Sequence, residues 1–346
     1  MKTSTLGWLA LTTATCVALC IAMTLTHLPA DTHPPKLLPE LNGQLQAITD
    51  IQVNDATDHR LVTLHKTDHG WQVIPLDFPA DPSQVATLLD QLNTLTVVAL
   101  KTADPSRFAD LGVAEVTLPT PVPAHSPSLR LHIEGIQPAI DLLIGQPAGS
   151  LGSYVRRRTE SHVSEVRPAI RLPRSPLEWV DHTLIDLAET AIQSIDIQRV
   201  DATSWQIHRQ SPEALHTEVS PPLTPRELPF AGAADPLLKN FSPLSLVNLR
   251  AASAASQGTD RSVVKRFDGF DLTVIRQGRE SPCWVRLNAT WDPTHTGDND
   301  RDPKNSAVVQ RVAQFNARHH DWEYQLSSER CSALFQKRSD LLRITP

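Results

Sequence analysis

The chain has 346 residues, a formal net charge of -6 and 40% hydrophobic residues, which suits about two packed domains and excludes global disorder. The acidic balance, relieved only by the short run Arg156-Arg157-Arg158, argues against a nucleic-acid partner, which would call for a basic stripe. The 28 prolines against 13 glycines point to strand edges and extended connections rather than long helices.

Residues 1–5 form the expected cytoplasmic N-terminus, and residues 6–25 then run without a charge. At a rise of ~1.5 Å per residue, such a helix spans ~30 Å, the thickness of a hydrocarbon core. A transmembrane anchor is therefore expected over 6–26. Lys2 precedes it, and Asp31, Lys36 and Glu40 follow it with little net positive charge. That bias keeps the N-terminus inside and exports the rest. The expected location is thus the bacterial inner membrane, single-pass, with a periplasmic C-terminal part. A cleaved signal peptide is the rival reading, but Leu28-Pro29-Ala30 lacks the small-x-small site. A lipoprotein would use Cys16 or Cys20, where Thr15 and Leu19 stand in place of the favoured small residue. Residues 27–45 hold four prolines and no clear period, and read as a stalk.

A first α+β repeat is expected over 46–187. Strands are expected at 47–53, 61–65 and 69–73, the last opened by a turn at Gly70. Asp81-Pro82 then starts a helix, with Asp81 as its cap and Pro82 at the first helical position. Val85, Leu88, Leu89, Leu92 and Leu95 give it one apolar stripe. A strand at 97–100 and a short helix from Asp104-Pro105 follow, the helix ended by Gly112. Segments 129–133 with 140–144, and 153–156 with 162–166, read as two hairpins. A short helix at 176–180 closes the repeat.

A second repeat is expected over 188–346. Ala191 lies 144 residues after Ala47, and His208 lies 143 after His65. The Asp235-Pro236 stripe copies the Asp81 helix at an offset near 149, with Ser220-Pro221-Pro222 as an insertion before it. The strand at Phe270 echoes that at Leu129, and the strand at Cys283 echoes that at Ile140. Five elements in the same order make a repeat. A helix with Val308, Val312 and Phe315 follows, then a strand through Trp322, Tyr324 and Leu326. A last helix carries Leu334, Phe335, Leu341 and Leu342. Hairpins separated by helices imply the α+β class, two repeated units of antiparallel strands with packed helices behind a transmembrane helix.

Three stretches resemble the family called domain of unknown function 4340. They are His69-Gly70-Trp71-Gln72-Val73 with the helix after it, residues 101–113, and residues 142–156 followed by Glu178-Trp179-Val180-Asp181. The resemblance covers most of 46–187 and weakens afterwards, and the Thr-Pro segment after Val113 departs from the pattern. It implies a membrane-anchored protein linked to ABC export systems of the gliding-motility kind, and it carries no catalytic residue.

The residues themselves offer little chemistry. His65 and His69 are four apart but sit in a strand-turn-strand pattern, so a surface hairpin explains them better than zinc. His319 and His320 point about 100° apart on a helix and make poor joint ligands. Asp298-Asn299-Asp300-Arg301-Asp302 opens like a calcium loop but has Pro303 and Val309 where glycine and glutamate are needed. Gly145, Gly149 and Gly152 lack the Lys-Ser/Thr of a phosphate loop and read as hairpin turns. Trp71, Trp179, Trp205, Trp284 and Trp322 read as packing. Cys16 and Cys20 fall in the anchor. An oxidising periplasm permits a disulfide between Cys283 and Cys331, the alternative being two separately buried thiols.

No catalytic, cofactor-binding or metal-ligating residue is expected. The expected function is a non-enzymatic, membrane-anchored periplasmic accessory or docking protein of an ABC-type transport or envelope complex. Its expected partners are the inner membrane and transporter subunits or other envelope proteins, not nucleic acid. Two alternatives stay open: a periplasmic small-molecule or glycan binding module with a cleft between the repeats, and a hydrolase whose residues meet only in three dimensions.

Overall fold

The computed structural model describes residues 34–115, 128–223, 230, 232–253, 258–293 and 307–342. The expected anchor over 6–26, with Cys16 and Cys20, lies outside the described residues, as does the 298–302 acidic run. Among the described residues no helix is long and apolar enough to cross a membrane. The chain divides into two compact units at Trp179 and Val180.

The first unit is a nine-stranded antiparallel sheet. Its strands are β1 (Asp50–Asp55), β2 (Arg60–Thr67), β3 (Gly70–Ile74), β4 (Phe78–Pro79), β5 (Thr96–Leu100), β6 (Leu129–Glu134), β7 (Ile140–Ala148), β8 (Gly152–Arg157) and β9 (Ser164–Arg167), in spatial order β4-β3-β2-β1-β6-β7-β8-β9-β5. Register follows the apolar alternation. Ile51 of β1 lies opposite Leu64 and Ile133, and Val53 lies opposite Val62 and Leu131, all buried. A slip by one residue would place Gln52 and Thr63 in the apolar row. Helix α1 (Pro82–Thr94) buries Val85, Leu88 and Leu92. Each such burial contributes roughly 1.5–3 kcal/mol.

The N-terminus of α1 is held by its own sequence. Asp81 Oδ1 accepts the Ser83 backbone N–H at 2.8 Å, and Pro82 occupies the first turn. Asp81→Ala is expected to lower stability by about 1 kcal/mol, readable as a shifted urea midpoint. An unchanged midpoint would show that the cap is dispensable.

Residues 34–45 do not belong to a stalk. Leu37, Leu38 and Leu41 are buried in the same core as α1. Leu37 N–H donates to Leu95 O at 2.9 Å, and Val97 N–H donates to Pro35 O at 2.9 Å. The apolar leucines of this proline-rich stretch are driven out of water, and its prolines tolerate the extended path along the start of β5.

The second unit repeats this path. Its strands are β10 (Thr183–Ile185), β11 (Ile192–Arg199), β12 (Ala202–His208), β13 (Glu218–Ser220), β14 (Leu244–Ser245), β15 (Asn248–Ala251), β16 (Gly258–Arg266), β17 (Phe270–Gln277), β18 (Trp284–Trp291) and β19 (Trp322–Gln325). The eight-stranded sheet runs β13-β12-β11-β16-β17-β18-β19-β15, the same connectivity as β3-β2-β1-β6-β7-β8-β9-β5. Ile195 and Ile197 of β11 stand where Ile51 and Val53 stand in β1, packed between β12 and β16. The short pair β10-β14 plays the part of residues 35–37 on β5, with Leu246 N–H donating to His182 O at 2.9 Å. The second unit therefore starts at Val180, ahead of the boundary at 187–188 expected from sequence.

Four further expectations are corrected. The Leu129 strand corresponds in connectivity to Gly258–Arg266, not to Phe270, and the Ile140 strand corresponds to Phe270–Gln277, not to Cys283. The Asp235-Pro236 copy of α1 is a 3-10 helix (Asp235–Phe241), in which Leu237, Leu238 and Phe241 are buried. The last expected helix is two pieces, α3 (Ser328–Leu334) and a 3-10 turn (Arg338–Leu341), with α2 (Ala307–His319) packed on β18 before β19. The molecule is mostly antiparallel sheet with few helices, an α+β-like fold.

Candidate functional site

Two features combine exposure with chemistry, and both follow from the repeated sheet. The first is an edge. In each unit the strand after the helical segment pairs with the last strand of its sheet, and on its other side only its start is bridged, by residues 35–37 in the first unit and by β10 in the second, with no further strand there among the described residues. Leu95 and Leu244 are buried at its start. Three residues on, Val98 is 46% exposed and Val247 is 49% exposed, at equivalent places along the repeat. Leu100 of β5 is exposed as well. Apolar side chains on an open strand edge invite another chain unless they are covered.

The second feature is a cationic cavity of about 490 Å³ in the second unit, lined in part by Arg199, Arg276, Arg279, Lys337 and both Cys283 and Cys331. Three separate stretches build it. The end of β11 supplies Arg199, the β17-β18 hairpin supplies Arg276, Arg279 and Cys283, and α3 with the turn after it supplies Cys331 and Lys337. The disulfide Cys283–Cys331 joins the second and third of these, closing a separation of 48 residues.

Within 4 Å of three of the lining arginines lies Asp260 of β16, with 0% of its surface exposed. Its Oδ1 accepts the Val200 N–H at 3.1 Å. Arg199, Arg276 and Arg279 approach its carboxylate at 3.8, 3.9 and 3.9 Å. Arg199 is committed elsewhere, through Nε and Nη2 to the two oxygens of Asp201 at 2.8 and 3.0 Å and through Nη1 to Phe335 O. This fork holds the Asp201 carboxyl down at about 2, with added attraction from Lys337 and Arg279, and it raises Arg199. Arg279 Nη2 and Lys337 Nζ each stand 3.9 Å from Asp201, beyond hydrogen-bond reach. Both are about half exposed, so their donors face the cavity and solvent.

Other candidates from the sequence separate in space. His65 Nδ1 lies 2.7 Å from Asp50 Oδ1 across the β1-β2 ladder, whereas His69 sits in the β2-β3 turn. His319 is buried and shares a 2.7 Å hydrogen bond with Tyr324, while His320 faces Asp321 in solvent. Gly149, with φ +71, turns the β7-β8 hairpin, and Gly145 lets the Leu111 carbonyl approach where a Cβ would stand. Trp179 and Trp205 are buried, and Trp284 carries the Arg250 guanidinium 4.0 Å above its ring. Among the described residues no group of three His, Cys, Asp or Glu side chains is placed to hold a metal ion.

Of the cavity's residues, sequence reasoning singled out Cys283 and Cys331 as a possible bridge and Phe335 as apolar packing. Asp260 sits in a polar stretch, Thr-Asp-Arg-Ser, that reads as a loop. The one local signal was Arg276-Gln277-Gly278-Arg279, a turn carrying two cations directly after an apolar strand.

A family model described as Domain of unknown function (DUF4340) matches residues 71–263, more than half of the chain. No curated protein and no solved structure matches the chain.

Proposed function

Because the chain belongs to the DUF4340 family, whose description names no activity, we propose its function from its own surface: it is a non-enzymatic accessory protein that docks onto an envelope complex. In this reading it is anchored in a bacterial inner membrane with its sheets on the periplasmic side, and its partners are subunits of an ABC-type export system. The supporting observation is the duplicated edge, where Val98 and Val247 stand exposed at equivalent positions of two like sheets. A partner strand added there would satisfy edge backbone groups and cover apolar surface at once. The disulfide agrees with an oxidising compartment.

A photocrosslinking residue at Val98 or Val247, in the native membrane, is expected to capture transporter subunits. Val98→Asp with Val247→Asp is expected to reduce recovery of those subunits at least tenfold while leaving the melting temperature within a few degrees, because both side chains are about half exposed. Capture of this chain alone would overturn the reading.

A second reading, a ligand-binding module, is favoured by the cationic cavity. Its place would be the cavity within the second unit.

A further inference from the structure

The cavity in the second unit has the size of a small-molecule site, about 490 Å³. Its cations are not equally occupied. Arg199 is fully engaged by Asp201 and Phe335 O, and Arg276 donates Nη2 to Arg279 O at 2.8 Å. Among the described residues, the ion pairs of Arg279 and Lys337 are the 3.9 Å approaches to Asp201 and, for Arg279, to Asp260. Two cations thus flank one carboxylate that is already held by a bidentate fork. An oxygen of a ligand placed between them would accept charge-assisted hydrogen bonds that Asp201 does not take.

The rest of the lining has a different character. Ser281, Ser332 and Gln336 present hydroxyl and amide groups, and Glu280 adds an exposed acceptor. Asp340 is exposed at the rim, its Oδ2 accepting the Lys337 backbone N–H at 2.8 Å. The wall is therefore suited to hydroxyl groups, and the Arg279–Lys337 pair to a single negative group.

We propose that this cavity binds an oxyanion, a phosphate or carboxylate group seated between Arg279 and Lys337, with hydroxyls of a sugar-sized carrier against the serines. The proposal rests on the second reading above and gives it a ligand class. The oxyanion has two sources, free in solution or carried on a sugar.

Calorimetric titration of the full chain with inorganic phosphate, glucose 6-phosphate, glucuronate and glucose separates the cases. The anions are expected to bind, and Arg279→Ala or Lys337→Ala is expected to weaken them about tenfold each. Both side chains are about half exposed, so an unchanged thermal melt of each variant will confirm that folding is intact. Tighter binding of the sugar anions than of phosphate assigns the carried form; equal binding assigns the free form. Equal binding of glucose and glucose 6-phosphate would overturn the oxyanion seat while leaving a ligand site standing. Anion binding unaltered in the double variant would also overturn it. Absence of binding by all four probes would remove both the seat and the second reading.

Discussion

Replacing Cys283 and Cys331 together by alanine is expected to destabilise the second unit by about 4 kcal/mol. The bond closes a separation of 48 residues, and the chain entropy released to the unfolded state over such a loop amounts to about that figure. Both cysteines are buried, so the alanine pair also loses packing where α3 meets the β17-β18 hairpin. For a urea slope of about 2 kcal/mol per molar, the midpoint moves by roughly 2 M. A reducing agent should do the same to the natural protein and nothing further to the variant. Equal midpoints with and without reductant would show that the bond does not support the fold. Ligand binding at the cationic cavity should fall with it, because Cys331 and Lys337 reach the cavity from the same segment.

Acidification is expected to expose a second weak point, His319. The ring is 2% exposed at the end of α2, against Tyr324 and Phe315. Burial lowers its pKa to about 4, the Arg318 charge acts in the same direction, and Asp181 opposes them. Burial also raises the Tyr324 phenol. In the unfolded chain the histidine titrates near its ordinary value of about 6.5. Between those two values the unfolded state binds a proton that the folded state refuses. Stability therefore falls as pH drops from about 6.5 to about 4, by about 3 kcal/mol in total, and is unaffected by this group above that window. Comparing denaturant midpoints at pH 7 and near pH 4.5 in the natural protein and in His319→Gln isolates the effect. The variant should lose most of that window's slope; parallel slopes would refute the assignment.

The parts of the fold that rest on local period were legible. The α1 stripe was readable because Val85, Leu88 and Leu92 recur on one face with a cap before them. The buried residues of its copy keep the 149-residue offset, even though the second stretch winds as a 3-10 helix. Strand β16 was not readable. Its sequence, Gly258 to Arg266, has Val263 and Val264 as its only apolar side chains among charged and small polar ones, and Asp260 and Ser262 are fully buried there. A buried carboxylate is tolerable only because arginines from β11, β17 and the following hairpin surround it, and no window of neighbouring residues contains them. Missing that strand displaced the matching of the two strands after it. The same long-range compensation hid the cationic cavity.

The stretch matched by the family model, 71–263, begins inside β3 and ends inside β16. It omits β1 and β2 from one sheet and β17 to β19 from the other, so it is a sequence signature rather than a unit that could fold. The boundary at Trp179 and Val180 follows the architecture instead.

The position of β5 and β15 has a temporal meaning. Each is made midway through its unit, yet its sheet partner is β9 or β19, the last strand to be synthesised. As a nascent chain emerges, β5, which bears Val98, waits for residues 164–167, and β15, which begins just after Val247, waits for residues 322–325. Closing so long a loop is slow, and until it closes the waiting strand lacks its sheet partner, with only the short bridge at its start to hold it. The edge that we read as a docking surface in the finished protein is thus also the stretch most open to a chaperone, or to mispairing with the like strand of the other repeat, during biogenesis.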